Sequence, residues 1–299
     1  MTTTQPFNLD DFITPDRVAE LIRLAREEDL GSDSRDVTSE LFVPADLQGE
    51  AAVVAREPGK LAGGILLPMV ADAYHNQVQA QLHAKDGDLI EPGDVVATLS
   101  GPMRSILSAE RVALNLITHL SGVATLTSHY VRKVSGTSAK IYDTRKTLPG
   151  LRGLQKYAVA CGEGGTHRMG LYDAVLLKDN HLSHVNTDEL SHAVSQAVKQ
   201  SRDKYPHLQF VMVEVDTLQQ LRAVLTSGVD IVLLDNMNNQ QLKEAVTLRD
   251  QLSPGVELEA SGGVTLETVR AIAETGVDRI SVGALTHSAP SLDLGLDIR

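Results

Sequence analysis

The sequence predicts an α/β fold: an N-terminal α+β sandwich domain followed by an incomplete parallel α/β barrel of about six strands. After Ala139, short apolar segments alternate with amphipathic segments, and this repeated order is typical of parallel strands joined by helices. The apolar segments are hydrophobic almost throughout, as strands are when both faces of their sheet are buried. No G-x-G-x-x-G pattern follows the first strand, which disfavours a doubly wound dinucleotide-binding fold and favours a barrel.

The first part of the chain has a different pattern. Residues 15–30 carry apolar side chains at helical spacing and end at Gly31. Residues 49–64 and 78–101 contain short β-type runs broken by Pro-Gly, Asp-Gly and Gly-Gly turns. A long helical pattern begins at Ser105 and connects the two parts of the chain.

These patterns divide the chain into two predicted domains. Residues 1–125 form the sandwich domain with its connecting helix, and residues 126–286 form the barrel. The tail at about 287–299 is a candidate to return to the first domain.

The predicted barrel strands carry polar or small residues where they end. The six strand segments are "KIYDTRK", "AVLLKDN", "FVMVEVD", "IVLLDN", "LEASGG" and "RISVGAL". Their end residues are, in order, Arg145 with Lys146, Lys178, Glu214, Asp235, Ser261 and Gly283. Because the carboxyl ends of barrel strands open on one face, these residues are expected to converge on one active site.

Composition excludes several classes of function. With 27 Lys+Arg against 39 Asp+Glu, the chain lacks the broad basic surface that nucleic-acid backbones require, and its lack of Trp disfavours base stacking. Cys161 is the single cysteine, which excludes an internal disulfide or a Cys-rich zinc site and favours a reducing, cytoplasmic location. Residues 1–12 show no signal-peptide pattern, and the apolar runs are too short to cross a bilayer, so no membrane partner is expected.

Glycines follow the last two predicted strands. Gly262 and Gly263, after Ser261, and Gly283 lie just before helical segments, where exposed backbone N–H groups and a helix N-terminus can hold a phosphate. The alternative is ordinary turn chemistry between a strand and a helix. Two such sites at the end of a barrel sequence correspond to the usual phosphate position of that fold.

Two acids, Glu214 and Asp235, each follow an apolar run in which a solvated acid would be out of place. They are candidates to bind Mg²⁺, directly or through water, or to hydrogen-bond ribose hydroxyls. The alternative is a salt bridge to Lys178 or Arg145 at the barrel mouth.

Positive charge is concentrated near the same predicted mouth. The candidates are Arg145, Lys146, His167, Arg168 and Lys178. Such a group repels itself unless an anionic ligand is bound, and Arg and Lys both bind carboxylates and phosphates. A solvated charged face is the alternative, and it suits Arg152 and Lys156 better than Lys178. A Schiff-base role for Lys178 is a further alternative.

Other reactive residue types give weaker signals. Cys161 is interpreted as a packing residue rather than a nucleophile. His119, His181 and Arg111 are interpreted as core or interface residues, and the histidines show no metal-ligand spacing such as HExxH. The residues alone therefore predict a barrel enzyme that uses Mg²⁺ and acts on substrates with phosphates and carboxylates.

The same residues lie in longer motifs that resemble the quinolinate phosphoribosyltransferases, the carboxylating nicotinate-nucleotide pyrophosphorylases. The most specific are "SAERVALNLITHLSGVAT", "DTRKTLPGLRGLQKYAVACGEGGTHRMGLYDAVLLKDNH" and "EASGGVTLETVRAIAETGVDRISVGALTHS", and the similar pieces span nearly the whole chain in order. Met212 is one departure, since many relatives have an acid there; it neighbours Glu214 without replacing it.

The resemblance implies a reaction and an assembly. Quinolinate and 5-phosphoribosyl-1-pyrophosphate (PRPP) give nicotinate mononucleotide, pyrophosphate and CO₂ in de novo NAD synthesis. It also implies a homodimer, in which one subunit's N-terminal domain covers the barrel of its partner, and assembly beyond the dimer in some relatives.

The resemblance further implies roles for individual residues. Quinolinate contacts map to Arg145, His167, Arg168 and Lys178, with Arg111 coming from the neighbouring subunit. Lys146 serves PRPP or quinolinate, Glu214 and Asp235 lie near the ribose and Mg²⁺, and Ser261, Gly262, Gly263 and Gly283 contact the 5-phosphate and adjacent parts of the substrate. Lys146, Lys178, Glu214 and Asp235 are the expected catalytic residues.

Three rival functions stay open on the sequence. They are a related pyrophosphorylase acting on another aromatic acid or base, a lyase or aldolase with a Schiff base on Lys178, and a non-catalytic protein that binds a phosphorylated metabolite. The last has no need for both a group of cations and two strand-end acids.

Overall fold

A computed structural model describes residues 8–183 and 185–299. The chain divides into two compact units. The first unit comprises the chain up to Ser128, Thr147–Glu163 and Leu285–Arg299, and the second comprises His129–Lys146 and Gly164–Ala284. The domain limits of the sequence analysis, at residues 125 and 286, remain a prediction.

The helices and strands are numbered in chain order. The helices are α1 (Pro15–Leu30), α2 (Val37–Phe42), α3 (Leu67–Tyr74), α4 (Met103–Val134), α5 (Arg152–Cys161), α6 (Asp179–Leu182), α7 (Leu190–Lys204), α8 (Leu218–Val224), α9 (Asn239–Leu252), α10 (Val269–Ala273) and α11 (Ala284–His287). The strands are β1 (Gln48–Ala55), β2 (Gly59–Lys60), β3 (Gln79–Leu82), β4 (Leu89–Ile90), β5 (Val95–Pro102), β6 (Lys140–Tyr142), β7 (Val175–Leu177), β8 (Val211–Val215), β9 (Ile231–Asp235), β10 (Glu257–Ser261), β11 (Arg279–Ser281) and β12 (Leu294–Ile298). Three short 3₁₀ turns occupy Leu9–Asp11, Gly64–Leu66 and Thr187–Glu189.

The two long helices predicted near the start of the chain are present. Helix α1 spans the predicted 15–30 and ends at Gly31, whose φ of 70° suits a residue without a side chain. Helix α4 begins at Met103, two residues before the predicted Ser105, and continues unbroken to Val134. Among the described residues, no helix has the length and apolar content that crossing a membrane would need.

The first unit is built on an antiparallel sheet with the strand order β12-β1-β5-β3. Strand β12 comes from the end of the chain and pairs with β1 from Ala51–Ile298 to Ala55–Leu294. The core behind this sheet includes Ala51, Leu99 and Ile106, with Ala71 of α3 packed against them. Burial of this apolar face is what stabilises an antiparallel sheet with one side covered.

The second unit is built on a six-stranded parallel sheet with the order β6-β11-β10-β9-β8-β7. All six strands predicted from the apolar segments are present. The predicted α/β class, with an N-terminal α+β domain and an incomplete parallel barrel, is confirmed. Strands β6 and β7 are the two edges of the sheet, as expected of an incomplete barrel. Met212, Ile231 and Leu233 form a buried cluster within it.

The chain adds a short pairing at the β6 edge. Gly165 forms an isolated parallel bridge to Tyr142, with its N–H donating to the Ile141 carbonyl at 2.7 Å. The Asp143 N–H in turn donates to the Gly165 carbonyl at 3.2 Å. A side chain at Gly165 would come within 2.6 Å of the Tyr142 ring, so this approach requires glycine. The pairing fixes where the following residues, His167 and Arg168, leave the sheet edge.

Candidate active site

The polar residues predicted at the strand ends lie along the carboxyl-terminal side of the parallel sheet, which we call the sheet edge below. Asp235 and Ser261 are the last residues of β9 and β10 and are paired in register. Glu214 is the penultimate residue of β8, and Lys178 directly follows β7. Because all these strands are parallel, their carboxyl ends meet on the same side, where barrels place active sites.

The two strand-end acids line one cavity, which two further acids, Asp179 and Asp216, also line. Glu214 and Asp235 both line a space of about 300 Å³, together with Asp179 of α6 and Gln220 of α8. The Asp235 carboxylate accepts a hydrogen bond from the Asn236 side chain at 2.9 Å. A polar cavity of this size at strand ends can hold part of a phosphorylated sugar.

Lys178 and Glu214 form a direct ion pair. The Lys178 side chain is 42% exposed and the Glu214 side chain 13% exposed, so the pair lies at the boundary of the cavity and solvent. The salt bridge that the sequence left as an alternative for Glu214 is therefore present. It also shows that the two strand ends come within contact distance.

Arg145 and Arg168 form the centre of the predicted cation group. Arg168 is buried, and its guanidinium donates to the Ala174 carbonyl at 3.2 Å. Burial first, and then the positive charge of Arg145, lower the Arg168 pKa from its usual value. The buried Nε of Arg145 has no hydrogen-bond partner within the described chain. Two neighbouring guanidinium groups with an unused donor are an arrangement that an anion stabilises.

Lys146 begins the loop after these residues. It is exposed, and its backbone N–H donates to the Thr144 hydroxyl at 3.0 Å. Lys146 thus lies beyond the end of β6 and directly follows Arg145 in the chain.

His167 occupies a different place from the other predicted cations. It is only 7% exposed, and its backbone N–H donates to the Asp143 carboxylate at 2.7 Å. Its Nδ1 accepts the backbone N–H of Arg168 at 2.8 Å. A ring nitrogen that accepts a hydrogen bond carries no proton, so this geometry describes a neutral imidazole with its proton on Nε2. That Nε2 lies 3.6 Å from Glu259 Oε1.

Glu259 and Arg279, which sequence reasoning missed, form with His167 a group that we call the inner ion cluster. Glu259 is fully buried in β10 and lies opposite Arg279 of β11 in the sheet register. Arg279 Nε donates to Glu259 Oε2 at 2.8 Å, and its guanidinium carbon lies 3.6 Å from the centre of the Tyr142 ring. The visible signal was an acid within the apolar segment "LEASGG" and an arginine opening "RISVGAL".

The glycines after β10 have left-handed backbone conformations. Gly262 and Gly263 have φ of 100° and 58°. A side chain at Gly262 would clash with the Asn236 side chain, whereas one at Gly263 would meet nothing within 4 Å. Turn geometry thus accounts for both glycines. Phosphate binding by these residues, Ser261 and Gly283 stays a prediction.

The remaining candidates lie in the first unit. Arg111 is on α4, 63% exposed, with its guanidinium 3.7 Å from Glu110. Lys156 is fully buried in α5, where nearly all of the helix is covered. The solvated face that the sequence left as an alternative for Lys156 is therefore wrong. Arg152 is partly buried, and its Nε donates to the Thr147 hydroxyl at 3.0 Å.

Cys161 is fully buried, and burial raises its pKa to about 12, which suits a packing residue.

The two histidines that the sequence singled out are now placed. His119 contacts the Gln155 amide at 2.9 Å, and burial lowers its pKa. His181 is exposed in α6, and its Nδ1 accepts the backbone N–H of Lys178 at 2.9 Å. His119 is thus a partly buried residue that contacts α5, and His181 orders the turn that carries Lys178.

Both parts of the chain match models of one protein family. The model for the quinolinate phosphoribosyl transferase N-terminal domain matches residues 36–121, and the model for the C-terminal domain matches residues 123–297. The chain belongs to the quinolinate phosphoribosyltransferase family. It is therefore an enzyme, a phosphoribosyltransferase of de novo NAD biosynthesis.

Individual relatives agree with this family over their whole length. The chain is 44% identical over 285 residues to the nicotinate-nucleotide pyrophosphorylase [carboxylating] of Mycobacterium leprae, covering 95% of this chain and 98% of that protein. It is 41% identical to the probable enzyme of the same name from Bacillus subtilis, covering 91% and 90%. The solved nicotinate-nucleotide pyrophosphorylase of Francisella tularensis superposes with a TM-score of 0.87 at 36% identity, covering all of both chains.

Proposed function

We propose that the strand-end site of the second unit transfers the phosphoribosyl group of PRPP to quinolinate. The ribosylated product loses CO₂, so the products are nicotinate mononucleotide, pyrophosphate and CO₂. Membership of the family supports the reaction. The observation that carries the site assignment is the pair of neighbouring guanidinium groups, Arg145 and Arg168, with a buried donor of Arg145 unused.

Quinolinate fits this pair by its charge. It carries two adjacent carboxylates, and guanidinium groups bind carboxylates with two parallel hydrogen bonds. Binding the dianion relieves the repulsion between Arg145 and Arg168, so the ligand and the site stabilise each other. We assign the remaining contact to Lys178, which then exchanges Glu214 for a substrate carboxylate. His167 supports this group from within the protein.

PRPP fits the part of the site that contains the acids Glu214 and Asp235, at the ends of β8 and β9. Breaking its bond to pyrophosphate leaves positive charge on the ribose, and a nearby carboxylate of Glu214 or Asp235 stabilises that charge. Backbone N–H groups around Ser261, Gly262, Gly263 and Gly283 are the candidates for the 5-phosphate, since left-handed glycines expose backbone to an anion. Quinolinate and PRPP would then lie side by side, and different groups of the protein would neutralise the negative charges of each.

Mg²⁺ is part of the proposal. Among residues 8–183 and 185–299 no group of three or more His, Cys, Asp or Glu side chains could hold a metal alone. Glu214 and Asp235, lining one cavity, supply two carboxylates, and Mg²⁺ commonly binds one or two carboxylates together with water and substrate phosphates. The residues therefore fit an ion that arrives with PRPP, where it neutralises the pyrophosphate.

Loss of CO₂ needs no further cofactor. Ribosylation makes the pyridine nitrogen cationic, so the ring can accept the electron pair of the breaking C–C bond at C2. CO₂ departs, and the C2 carbanion takes up one proton. Lys146 and Lys178 are the two candidates to supply that proton, and a charged lysine near the departing carboxylate also holds it in place until the bond breaks.

We place the enzyme in a homodimer in which Arg111 reaches the site of the partner subunit. Arg111 is 63% exposed on the first unit rather than among the cations of the second. Helix α2 of the same unit exposes Leu41 and Phe42, by 78% and 82%, and exposed apolar side chains favour association. We also place the protein in the cytoplasm, as its single cysteine suggests.

One assay tests the reaction. Quinolinate labelled at the 2-carboxylate is incubated with PRPP, with and without Mg²⁺, and labelled CO₂ and nicotinate mononucleotide are measured. We expect both products in equal amounts, only with PRPP, and much faster with Mg²⁺. Turnover of nicotinate without CO₂ release would indicate a related pyrophosphorylase. Borohydride trapping of a substrate on Lys178 without PRPP would indicate a Schiff-base enzyme.

Mixing two inactive variants tests the shared site. We expect Arg111→Ala and Lys178→Ala dimers to be inactive alone and to recover activity after subunit exchange, because one of the two hybrid sites keeps both residues. A verified heterodimer that stays inactive would contradict the assignment of Arg111. The control is Lys178→Ala mixed with Arg145→Ala, which should stay inactive after exchange because each hybrid site lacks one of these two residues.

A further inference from the structure

We propose that Glu259, held by Arg279, is a positioning residue for quinolinate binding. It fixes the His167 ring, and the ring fixes the backbone that presents Arg168. This inference rests on the proposed function, since it concerns the same quinolinate-binding side of the site.

The first observation is the unusual position of the carboxylate. Glu259 is fully buried in the middle of a parallel strand, and burial raises its pKa while the Arg279 charge opposes this. A buried acid is costly unless it is paired. Arg279 pairs with Oε2 only, at 2.8 Å. Oε1 has no partner at hydrogen-bonding geometry in the described part of the chain. It lies 3.6 Å from His167 Nε2, and the nearby Ser281 hydroxyl, which is also unpartnered, lowers the Glu259 pKa.

The second observation is the orientation of the imidazole. His167 Nδ1 accepts from the Arg168 N–H at 2.8 Å, so the proton is on Nε2, 3.6 Å from Glu259 Oε1. That distance is too long for a hydrogen bond but short enough for the carboxylate to favour the ring with Nε2–H facing it. A flipped ring would turn a carbon towards both partners. The carboxylate therefore selects the ring orientation in which Nδ1 can hold Arg168. The Phe210 ring packs perpendicular to the imidazole, with the two ring centres 5.4 Å apart, and limits the tilt of the imidazole.

The third observation links this ring to the predicted substrate contacts. The backbone of His167 is tied to Asp143 at 2.7 Å, and Asp143 lies between the end of β6 and Arg145. Arg279 also stacks on Tyr142, the last residue of β6. The inner ion cluster thus touches both segments that deliver a guanidinium, one ending in Arg145 and the other in Arg168. A small displacement of such a support is enough to misplace a binding group.

The matched pair of variants is Glu259→Gln and Glu257→Gln. Both acids contact Arg279, but Glu257 does so at 3.2 Å from a 51% exposed side chain, whereas Glu259 is fully buried and lies 3.6 Å from His167 Nε2. With Glu259→Gln we expect the KM for quinolinate to rise about 10-fold to 100-fold, with the KM for PRPP changed less than about 2-fold. With Glu257→Gln we expect both constants to stay within about 2-fold of wild type.

A double mutant separates positioning from general damage. We expect His167→Gln to raise the quinolinate KM as Glu259→Gln does, and the double variant to be no worse than the poorer single variant, because both changes disrupt one contact chain. Equal rises in both KM values, additive effects, or an unchanged quinolinate KM would each overturn the inference. Wild-type enzyme that makes no nicotinate mononucleotide would instead overturn the proposed function, and this inference with it.

A measurement on the wild-type enzyme decides the case if Glu259→Gln does not fold. Histidine side-chain ¹⁵N NMR, assigned by His167→Gln, should show a neutral His167 ring with its proton on Nε2 at about pH 7. A proton on Nδ1, or on both nitrogens, would contradict the proposed orientation and overturn the inference.

Discussion

The Arg145–Arg168 pair and the inner ion cluster differ in how their charge is compensated. Arg145 and Arg168 lie close enough for one to lower the pKa of the other, and the buried Nε of Arg145 is unused. Arg279, in β11, contacts two carboxylates and an aromatic ring. Burial alone would lower its pKa, but the Glu259 charge and hydrogen bond raise it.

This difference separates a binding site from its support. A compensated buried arginine holds structure together, because every strong interaction that it can make is made within the protein. Burial and the Arg145 charge lower the Arg168 pKa, and the Asp173 charge only partly opposes them. Two arginines that repel each other in this way cost stability, and a dianion bound between them recovers it. Arginine therefore serves two purposes in this unit, to bind a ligand or to stabilise the structure. The groups around each arginine determine which purpose it serves.

Removing an uncompensated arginine should have the largest effect on catalysis. For Arg145→Ala we expect kcat/KM for quinolinate to fall about 100-fold or more, since a charge-assisted substrate contact is lost, while PRPP binding changes little. Steady-state kinetics with each substrate varied measure this. Lys199→Ala, which removes a charge from the exposed surface of α7, is the control and should be near wild type. Unchanged quinolinate kinetics in Arg145→Ala would break the comparison.

A change at the acids Glu214 and Asp235 should lower the turnover number, kcat. For Asp235→Asn we expect kcat to fall about 10-fold to 100-fold with quinolinate binding retained, because the proposed role of the carboxylate is to stabilise charge on the ribose and to bind Mg²⁺. Asp179→Asn is the matched control, since Asp179 lines the same cavity without ending a strand. Equal losses in the two variants would show that the cavity needs only negative charge.

Stability should change in opposite ways in the two regions. Arg279→Met leaves Glu259 buried without its partner, so we expect a loss of about 3–5 kcal/mol in the free energy of unfolding. Arg145→Met removes repulsion, so the unliganded enzyme should be equally stable or slightly more stable. Urea unfolding without substrate measures both. A destabilisation of similar size in Arg145→Met would remove the distinction between the regions.

The smallest effect concerns Cys161. Because burial raises its pKa to about 12, the thiolate is scarce and enclosed in the native protein at about pH 8. A thiol reagent should therefore react only after unfolding in guanidinium chloride, and Cys161→Ala should leave activity near wild type. Rapid reaction of the folded enzyme would place Cys161 in an open site.

The sequence predicted most of the strand-end site but not its support. Apolar runs that end in Lys178, Glu214 and Asp235 are local patterns, and parallel strands bring such ends together without further information. The Glu259–Arg279 pair depends on the register between β10 and β11, which a local pattern does not contain. The place of His167 depends on a single bridge at Gly165.

The charge of Lys156 was a poor guide to its exposure, because helix α5 is enclosed by other parts of the protein. Lys156 looked like a surface residue because lysines are seldom buried. In α5 the residues from Leu154 to Cys161 are buried on every face, so the helical pattern has no solvent side from which to predict exposure. Burial of this kind is decided by what packs around the helix, which lies far away in the sequence.

The central claim is that Arg145 and Arg168 are held ready for the two carboxylates of quinolinate. A crystal structure of the wild-type enzyme with quinolinate tests it most directly. We expect both guanidinium groups within hydrogen-bonding distance of the carboxylates, the Arg145 Nε newly bonded, and the Glu259–Arg279 pair unchanged. Quinolinate bound with neither guanidinium in contact with a carboxylate would contradict the claim.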